Sequence, residues 1–332
     1  MHRKVSIIYI VLILTLSAVA AHAGITFVYP AQKSWVKRSD YLILKLNNTE
    51  INGVKISVNG LASDMLMVGS TEYRKAFKDF VIVQPVWDPG KNEVVVEGFN
   101  KEKKIETAST DIFYNQKNDP ALTPKEYRAN VMHTPEGEEL CAPCHNMSPT
   151  EAQLNSSPEK GNPCYTCHKR MMSVKFVHGP AGTFSCAYCH SAAGRPKYSA
   201  AKRDAVLCNE CHAEKDAEFK KRKYLHGPID AGLCEVCHDP HGSGNPAQLR
   251  LPVNELCLSC HEKVGIGTEI HAVRTPSGGG HPLSGPKDLS PLRQGKEFCC
   301  VSCHNPHSGD ARYYFQSNDA DKMKLCQLCH KY

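Results

Sequence analysis

The chain has 332 residues and a formal net charge of +6, and its 41% apolar content excludes an intrinsically disordered protein. Its length is typical of two domains. All 17 cysteines lie at or after Cys141, so a cysteine-free first part precedes a second part that is dense in cysteine and histidine.

Residues 1–23 have the three parts of a secretory signal peptide. A basic start at residues 2–4 precedes an apolar run over 5–19, and Ala-His-Ala at 21–23 fits a small-x-small cleavage motif. The alternative is an uncleaved membrane anchor, but the apolar run is shorter than the roughly 20 residues of a spanning helix. We therefore expect an exported protein of the periplasm or cell surface, with no permanent membrane anchor.

Residues 24–115 are predicted to form an all-β domain, because several short segments alternate apolar and polar residues. The predicted strands are Ile25–Tyr29, Tyr41–Leu46, Val54–Val58, Phe80–Gln84, Glu93–Gly98 and Lys104–Tyr114. Asn-Gly at 52–53 and 59–60 marks turns. This spacing predicts an immunoglobulin-like (Ig-like) sandwich, and residues 90–98 resemble the penultimate hairpin of bacterial Ig-like modules. We expect this domain either to dock onto a partner or to act as a spacer.

Residues 116–132 are predicted to be a linker followed by a short helix. The segment from Asn115 to Pro120 is polar. Thr123, Pro124 and Glu126 then fit the N-cap, first and third positions of a helix.

The pattern C-x-x-C-H occurs eight times in residues 133–332 and uses 16 of the 17 cysteines. The cysteine pairs are Cys141 and Cys144, Cys164 and Cys167, Cys186 and Cys189, Cys208 and Cys211, Cys234 and Cys237, Cys257 and Cys260, Cys300 and Cys303, and Cys326 and Cys329. The histidines that follow them are His145, His168, His190, His212, His238, His261, His304 and His330.

This motif suits covalent attachment of haem. Two thiols at this spacing can form thioethers with the two vinyl groups, and the adjacent imidazole can reach the iron from the same stretch of backbone. Zinc ribbons do not require histidine after each second cysteine, a thioredoxin-like motif needs one pair, and a disulfide framework does not predict fixed spacing. We therefore expect eight covalent haem c groups, with the motif histidines as proximal iron ligands.

The motifs are grouped in pairs, each led by a histidine next to a proline. His133 (H-T-P), His178 and His226 (both H-G-P) lie eight residues before the first cysteine of their pair, and His281 leads the fourth pair at a longer distance. We number the resulting repeats 1 to 4, and they span residues 133–168, 178–212, 226–261 and 281–330. Repeats 3 and 4 also contain C-H-x-P-H, which ends at His241 and His307.

With these motifs, residues 133–332 resemble the multihaem cytochromes c built from doubled C-x-x-C-H modules, which are common in exported proteins of metal-respiring and other anaerobic bacteria. The H-G-P leaders and the C-H-x-P-H segments carry the resemblance. It implies electron transfer through stacked haems, mostly with two histidine ligands per iron. Repeats 1 and 2 depart from the pattern, because Ser148 and Ala193 stand where repeat 3 has His241.

Outside the signal peptide, seven histidines remain for the eight distal positions, so at least one iron lacks a second histidine from the same chain. These expected distal ligands are His133, His178, His226, His241, His271, His281 and His307. The remaining iron could take a methionine, a lysine or a group of a neighbouring subunit, or it could stay open. The nearby methionines are Met132, Met147, Met171 and Met172.

Cys299 is the odd cysteine, since the residue three positions later is Ser302. It is either a free thiol that can form an intermolecular bond or a thiol packed near a haem.

Residues 133–332 provide about 25 residues per haem, too few to bury an apolar core without the porphyrins. The predicted fold is therefore the Ig-like sandwich followed by a haem-cored, loop-rich cytochrome c domain with short α-helices, two of them at 200–212 and 215–225. Each ferric haem brings two propionates against one positive charge. The loaded protein is therefore expected to be acidic, which argues against a nucleic-acid partner.

We predict an electron carrier rather than an enzyme, with redox proteins as partners: a quinol-linked donor and an outer-membrane or extracellular acceptor. One alternative is a multihaem reductase that acts on a small nitrogen or sulfur oxyanion at an open haem. Another is a structural subunit that wires haems within a larger assembly, which self-association would reveal.

Overall fold

The computed structural model describes residues 24–37, 41–115, 120–265, 271, 280–319 and 321–331, so the predicted signal peptide lies outside the described residues. The chain divides into two compact units. The first comprises the described residues up to Lys33 together with 41–87 and 91–112, and the second comprises the rest, from 34 to the C-terminal part. Within the described residues, no helix is both long and apolar enough to cross a membrane.

The N-terminal region is rich in strands, and the six predicted strands are present. The elements are β1 (Ile25–Tyr29), β2 (Ser34–Val36), β3 (Leu42–Leu46), β4 (Gly53–Val58), β5 (Leu61–Ala62), β6 (Leu66–Met67), α1 (Thr71–Phe77), β7 (Phe80–Val83), β8 (Gly90–Asn100), β9 (Lys103–Tyr114) and β10 (Arg128–Ala129). The two-residue strands β5, β6 and β10 were too short to be recognised from alternation.

In the first unit, β3 lies between β1 and β7 in an antiparallel sheet, with Leu44 opposite both Phe27 and Val81. In a second sheet, β4 pairs with β5, β6 and β8, and β9 lies next to β8. Every second side chain of β3 is buried, and the same holds for β8, where Val94 and Val96 are fully buried. Such alternation gives each strand one face for a core.

The predicted turn at Asn59-Gly60 joins β4 to β5. Both residues have positive φ, 51° and 82°, as two-residue hairpin turns require. The Asn59 side chain fixes the turn, because its Nδ2 donates to Asn92 Oδ1 at 3.0 Å and its Oδ1 accepts from the backbone N–H of Glu93 at 2.9 Å.

In the second unit, β2 pairs in parallel with the last residues of β9 and with β10, so that Trp35 lies opposite Phe113 and Ala129. The helix predicted from Thr123 is wrong. The Oγ1 atom of Thr123 accepts from Asn115 Nδ2 at 2.8 Å, and Tyr127 is buried against the Phe113 ring, so the segment turns into β10. A 3-10 turn at Pro120–Leu122 precedes it.

The four repeats consist of helices, most of them short, joined by loops, as predicted, together with two-residue strands that the sequence did not predict. The helices are α2 (Pro135–Cys141), α3 (Glu151–Leu154), α4 (Tyr165–His168), α5 (Gly179–Gly182), α6 (Asp204–Lys220), α7 (Gly227–Asp230), α8 (Val253–Leu258), α9 (Glu262–Gly265), α10 (Cys300–Cys303) and α11 (Lys322–Gln327). The strands are β11 (Phe176–Val177), β12 (Tyr224–Leu225), β13 (Gly242–Ser243) and β14 (Ser308–Gly309).

The helices predicted at 200–212 and 215–225 form one element, α6, with a non-helical residue at His212. The prediction extended too far at the C-terminal side, because Tyr224 and Leu225 pair with β14 as β12.

The described part of the repeats has almost no apolar protein core. The buried apolar residues from 133 onwards are Phe184 and Ala311, whereas the strands of the first unit bury most of the others. Protein side chains alone therefore hold the repeats together weakly.

Candidate haem-attachment sites

Each C-x-x-C-H motif folds as a single helical turn. The backbone N–H of the motif histidine donates to the carbonyl of the first cysteine, for example His145 to Cys141 at 3.0 Å and His330 to Cys326 at 2.9 Å. This turn brings the imidazole one helical turn from the first thiol. None of the 17 cysteines is paired in a disulfide.

Consecutive motifs are neighbours in space. The first thiols of the facing motifs of adjacent repeats lie close enough to shift each other's pKa: Cys164 with Cys186, Cys208 with Cys234, and Cys257 with Cys300. Within each repeat, a thiol of one motif interacts electrostatically with a thiol of the other: Cys141 with Cys167, Cys189 with Cys211, Cys237 with Cys260, and Cys303 with Cys329. The eight motifs therefore follow one another without a gap.

Seven of the eight motif histidines face a second imidazole, with ring centroids 6.0–6.3 Å apart. The pairs, motif histidine first, are His168 and His133, His212 and His178, His190 and His241, His261 and His226, His238 and His307, His304 and His271, and His330 and His281. Each of the seven predicted distal histidines belongs to one of these pairs.

This separation fits an iron between two imidazoles. An imidazole nitrogen binds a first-row metal at about 2 Å and lies about 1 Å from its ring centroid, so two trans imidazoles have centroids about 6 Å apart. Among the described residues, no cluster of three or more His, Cys, Asp or Glu side chains is arranged to hold a metal ion directly.

Burial keeps several of these imidazoles neutral, which is the form that binds metals. Loss of solvent lowers the pKa of His307 to about 4. It also lowers the pKa of His190, His226 and His271.

The pairing of the imidazoles follows a rule that the sequence did not reveal. The leading histidine of each repeat faces the second motif of its own repeat, as His178 faces His212. The histidine that ends C-H-x-P-H instead crosses to the first motif of the preceding repeat, so His241 faces His190 and His307 faces His238.

Backbone pairing holds the crossing histidines in place. Strand β13 pairs with β11, and the His178 N–H donates to His241 O at 3.0 Å while its Nδ1 bonds to Pro240 O at 2.8 Å. Repeats 3 and 4 are joined in the same way, because β12 pairs with β14 and the His226 N–H donates to His307 O at 3.0 Å. Gly242 is required here, since a Cβ would lie 2.8 Å from Phe176 O and its φ is +143°.

Motif histidines of repeats 2, 3 and 4 are oriented by a carbonyl eight or nine residues further on. His190 Nδ1 bonds to Tyr198 O at 2.7 Å, His238 to Ala247 O at 2.8 Å and His304 to Tyr313 O at 2.7 Å. The carbonyl-bearing residues have φ of 60°, 54° and 68°. A carbonyl at Nδ1 leaves Nε2 for a metal. No residue type marks these carbonyls, so the sequence offered no signal for them.

Among the described residues, His145 of the first motif faces no second imidazole. Helix α2, which ends at Cys141 of this motif, carries Glu138, whose carboxylate bonds to His133 Nδ1 at 3.0 Å and to Lys197 Nζ at 2.8 Å. Lys197 Nζ also donates to Met147 O at 2.8 Å. Burial opposes ionisation of Glu138, but the bonds from Lys197 and His133 outweigh it and lower the pKa.

Cys299 is half-buried, and its Sγ accepts from Arg293 Nη2 at 3.3 Å. Its backbone N–H donates to Ser302 Oγ, which in turn donates to the buried carboxylate of Asp288 at 2.5 Å. Cys299 therefore belongs to the polar network that precedes α10.

A family model described as the doubled CXXCH motif matches residues 226–265 and 290–332. Both matches fall in the repeats that contain C-H-x-P-H. They support a multihaem-type cytochrome c motif, involved in electron transfer, and the C-x-x-C-H motifs indicate covalently bound haem c. No curated protein matches the chain.

Three solved structures share limited similarity with the chain. A fibronectin(III)-like module of Clostridium thermocellum CbhA is 17% identical with a TM-score of 0.20, and the match covers 27% of this chain and 95% of that one. An endo-β-1,4-mannanase from Thermotoga petrophila is 12% identical with a TM-score of 0.22, covering 29% and 20%. A Parabacteroides merdae β-glucuronidase is 20% identical with a TM-score of 0.20, covering 25% and 10%.

Proposed function

We propose that this protein is an octahaem c-type cytochrome that carries electrons along a chain of eight covalent haems. The observation that carries the proposal is the set of seven imidazole pairs with centroids 6.0–6.3 Å apart, each containing one motif histidine. Seven irons would then have two histidine ligands, the ligand set of a site that exchanges electrons without exchanging ligands.

The order of the motifs supports a chain rather than isolated centres. Thiols of motifs 1 and 2, 2 and 3, and so on to 8 interact in turn, alternately within a repeat and between repeats. Haems attached at these cysteines would be neighbours along the chain, and they would supply a series of redox centres from the first motif to the last.

The missing apolar core supports a domain built around porphyrins. The described residues from 133 onwards bury two apolar side chains, Phe184 and Ala311, which cannot offset the entropy of ordering so many residues. Porphyrin rings would supply the apolar surface, so folding would be coupled to haem attachment.

Several further features belong to the same proposal. Residues 24–115 form an Ig-like sandwich, supported by two sheets whose strands bury alternate side chains. The protein is exported to the periplasm or cell surface, supported by the pattern of residues 1–23. It acts in anaerobic or extracellular respiration, between a quinol-linked donor and an outer-membrane or extracellular acceptor.

Protein-film voltammetry of the haem-loaded chain tests the proposal. We expect reversible waves that integrate to eight electrons per molecule and do not change when nitrite or sulfite is added. Fewer than eight electrons would contradict the octahaem proposal. A catalytic current that grows with nitrite or sulfite would contradict the carrier role and favour a reductase.

A further inference from the structure

The four repeats share one turn directly after their first motif. The backbone N–H of the third residue donates to the side chain of the first: Ser148 to Asn146 at 3.1 Å and Ala193 to Ser191 at 3.2 Å. The equivalent bonds are His241 to Asp239 at 3.0 Å and His307 to Asn305 at 3.0 Å. Ser148, Ala193, His241 and His307 are therefore structurally equivalent.

In repeats 3 and 4, this third residue is the crossing histidine. His241 faces His190, the first motif histidine of repeat 2, and His307 faces His238, that of repeat 3. By the same relation, residue 193 of repeat 2 belongs to the first motif of repeat 1, whose histidine is His145. A methyl group occupies the position from which an imidazole would cross.

Contacts between repeats 1 and 2 support this relation. Tyr198 lies edge-on to the leading His133 with centroids 4.8 Å apart, as Tyr314 of repeat 4 lies edge-on to the leading His226 at 5.8 Å. Lys197 Nζ donates to the carbonyl of Met147, two residues after His145, at 2.8 Å. The segment that follows Ala193 therefore lies beside the first motif.

The backbone interlock that holds the other crossing residues is replaced in this pair of repeats. His133 Nδ1 bonds to Glu138 of the following helix α2, in its own repeat, instead of a carbonyl of the next repeat. Ala193 is exposed, and neither it nor Met132 belongs to a strand. The Lys197 amine donates to Glu138 and to the carbonyl of Met147, so it is already bonded and does not serve as the missing ligand.

We infer that the haem at Cys141 and Cys144 lacks a distal protein ligand because Ala193 replaces the crossing histidine, and that this haem binds small exogenous ligands. The ligand class is a diatomic π-acceptor for the ferrous iron, with carbon monoxide as the probe. The inference rests on the proposed octahaem function and assigns one of the eight haems a second role.

Carbon monoxide titration of the reduced, haem-loaded full chain tests this assignment, with the haem count of each preparation measured by intact mass. We expect one carbon monoxide per eight haems in the natural sequence. Ala193→His should abolish that binding while eight haems stay attached, and the ferric high-spin signal should become low-spin. Ser148→His is the matched control, because it changes the same turn position in a repeat that has no preceding repeat, so it should keep one carbon monoxide per chain.

Two results would overturn the inference: no carbon monoxide binding by the natural chain with eight haems attached, or undiminished binding by Ala193→His with eight haems attached. If Ala193→His fails to assemble, the stoichiometry of the natural chain decides alone. A chain with fewer than eight haems would contradict the proposed function instead, so the two failures are distinguishable.

Discussion

Replacing His241 by alanine should open a haem in another repeat. His241 belongs to repeat 3, but its ring lies 6.0 Å from that of His190 in repeat 2. We therefore expect the haem at Cys186 and Cys189 to lose its distal ligand, while the nearer haem at Cys234 and Cys237 keeps its own.

The size of the effect follows from the haem count. One of the eight proposed haems changes coordination. The low-spin fraction of all haem should therefore fall by an eighth, and carbon monoxide binding should rise by one equivalent per chain. The fold should survive, because the 3.0 Å bond between repeats uses the backbone carbonyl of residue 241 and the 2.8 Å bond uses the carbonyl of Pro240.

A double-mutant cycle identifies the haem. In a chain whose haem at positions 186 and 189 is removed by Cys186→Ala and Cys189→Ala, His241→Ala should add no carbon monoxide site. In a chain whose haem at positions 234 and 237 is removed by Cys234→Ala and Cys237→Ala, it should still add one. The reverse outcome would refute the crossing rule, and with it the reasoning about Ala193.

Three further predictions concern other parts of the chain. Glu138→Gln should raise the reduction potential of the haem at Cys164 and Cys167, because a carboxylate at His133 Nδ1 makes that imidazole a stronger donor to ferric iron. A three- to tenfold change in the affinity of the imidazole for ferric relative to ferrous iron shifts the potential by about 30–60 mV, which spectroelectrochemistry resolves. The control Glu139→Gln, at an exposed position, should leave the potential unchanged. Asp288→Ala should destabilise repeat 4 by about 3 kcal/mol, since it removes the buried acceptor of Ser302 and Arg293. Burial opposes ionisation of Asp288, but hydrogen bonding outweighs it and lowers the folded-state pKa. The stabilisation that Asp288 provides is therefore present above the ordinary pKa near 4 and is lost as pH falls through the lowered pKa. Denaturant unfolding at neutral and acid pH should show a smaller pH dependence in Asp288→Asn than in the natural chain, and an equal dependence would contradict this prediction. Leu44→Ala, at a fully buried position in β3, should lower the free energy of unfolding of the N-terminal strands by about 2–5 kcal/mol, measured by circular dichroism in urea. Leu61→Ala, at an 82% exposed position, should lower it by under about 0.5 kcal/mol. Equal losses would contradict the assigned core.

The sequence predicted those features that depend on local patterns. The alternation in Val54–Val58 and the Asn59-Gly60 turn identified β4 and its hairpin, because a half-buried strand and a left-handed turn each restrict residue type. The regular spacing of the motifs predicted the candidate haem-attachment residues, and counting histidines predicted that at least one iron lacks a second histidine.

Features that depend on contacts between separate segments could not be predicted in this way. The Thr-Pro signal at Thr123 matched a helix start, but a bond from Asn115 and burial of Tyr127 hold the segment as a turn that leads into β10. The partner of His241 lies 51 positions earlier in the chain, and only the pairing of β13 with β11 reveals it. The sequence therefore showed that a ligand was missing without showing at which motif.

Intact mass measured before and after thiol alkylation of the denatured, exported protein tests whether the chain carries eight covalent haems. We expect a mass increase of eight haems and a single alkylated thiol, that of Cys299, because the other 16 cysteines should form thioethers. Fewer than eight haems, or alkylation of two or more cysteines, would contradict the account of eight covalent haem sites.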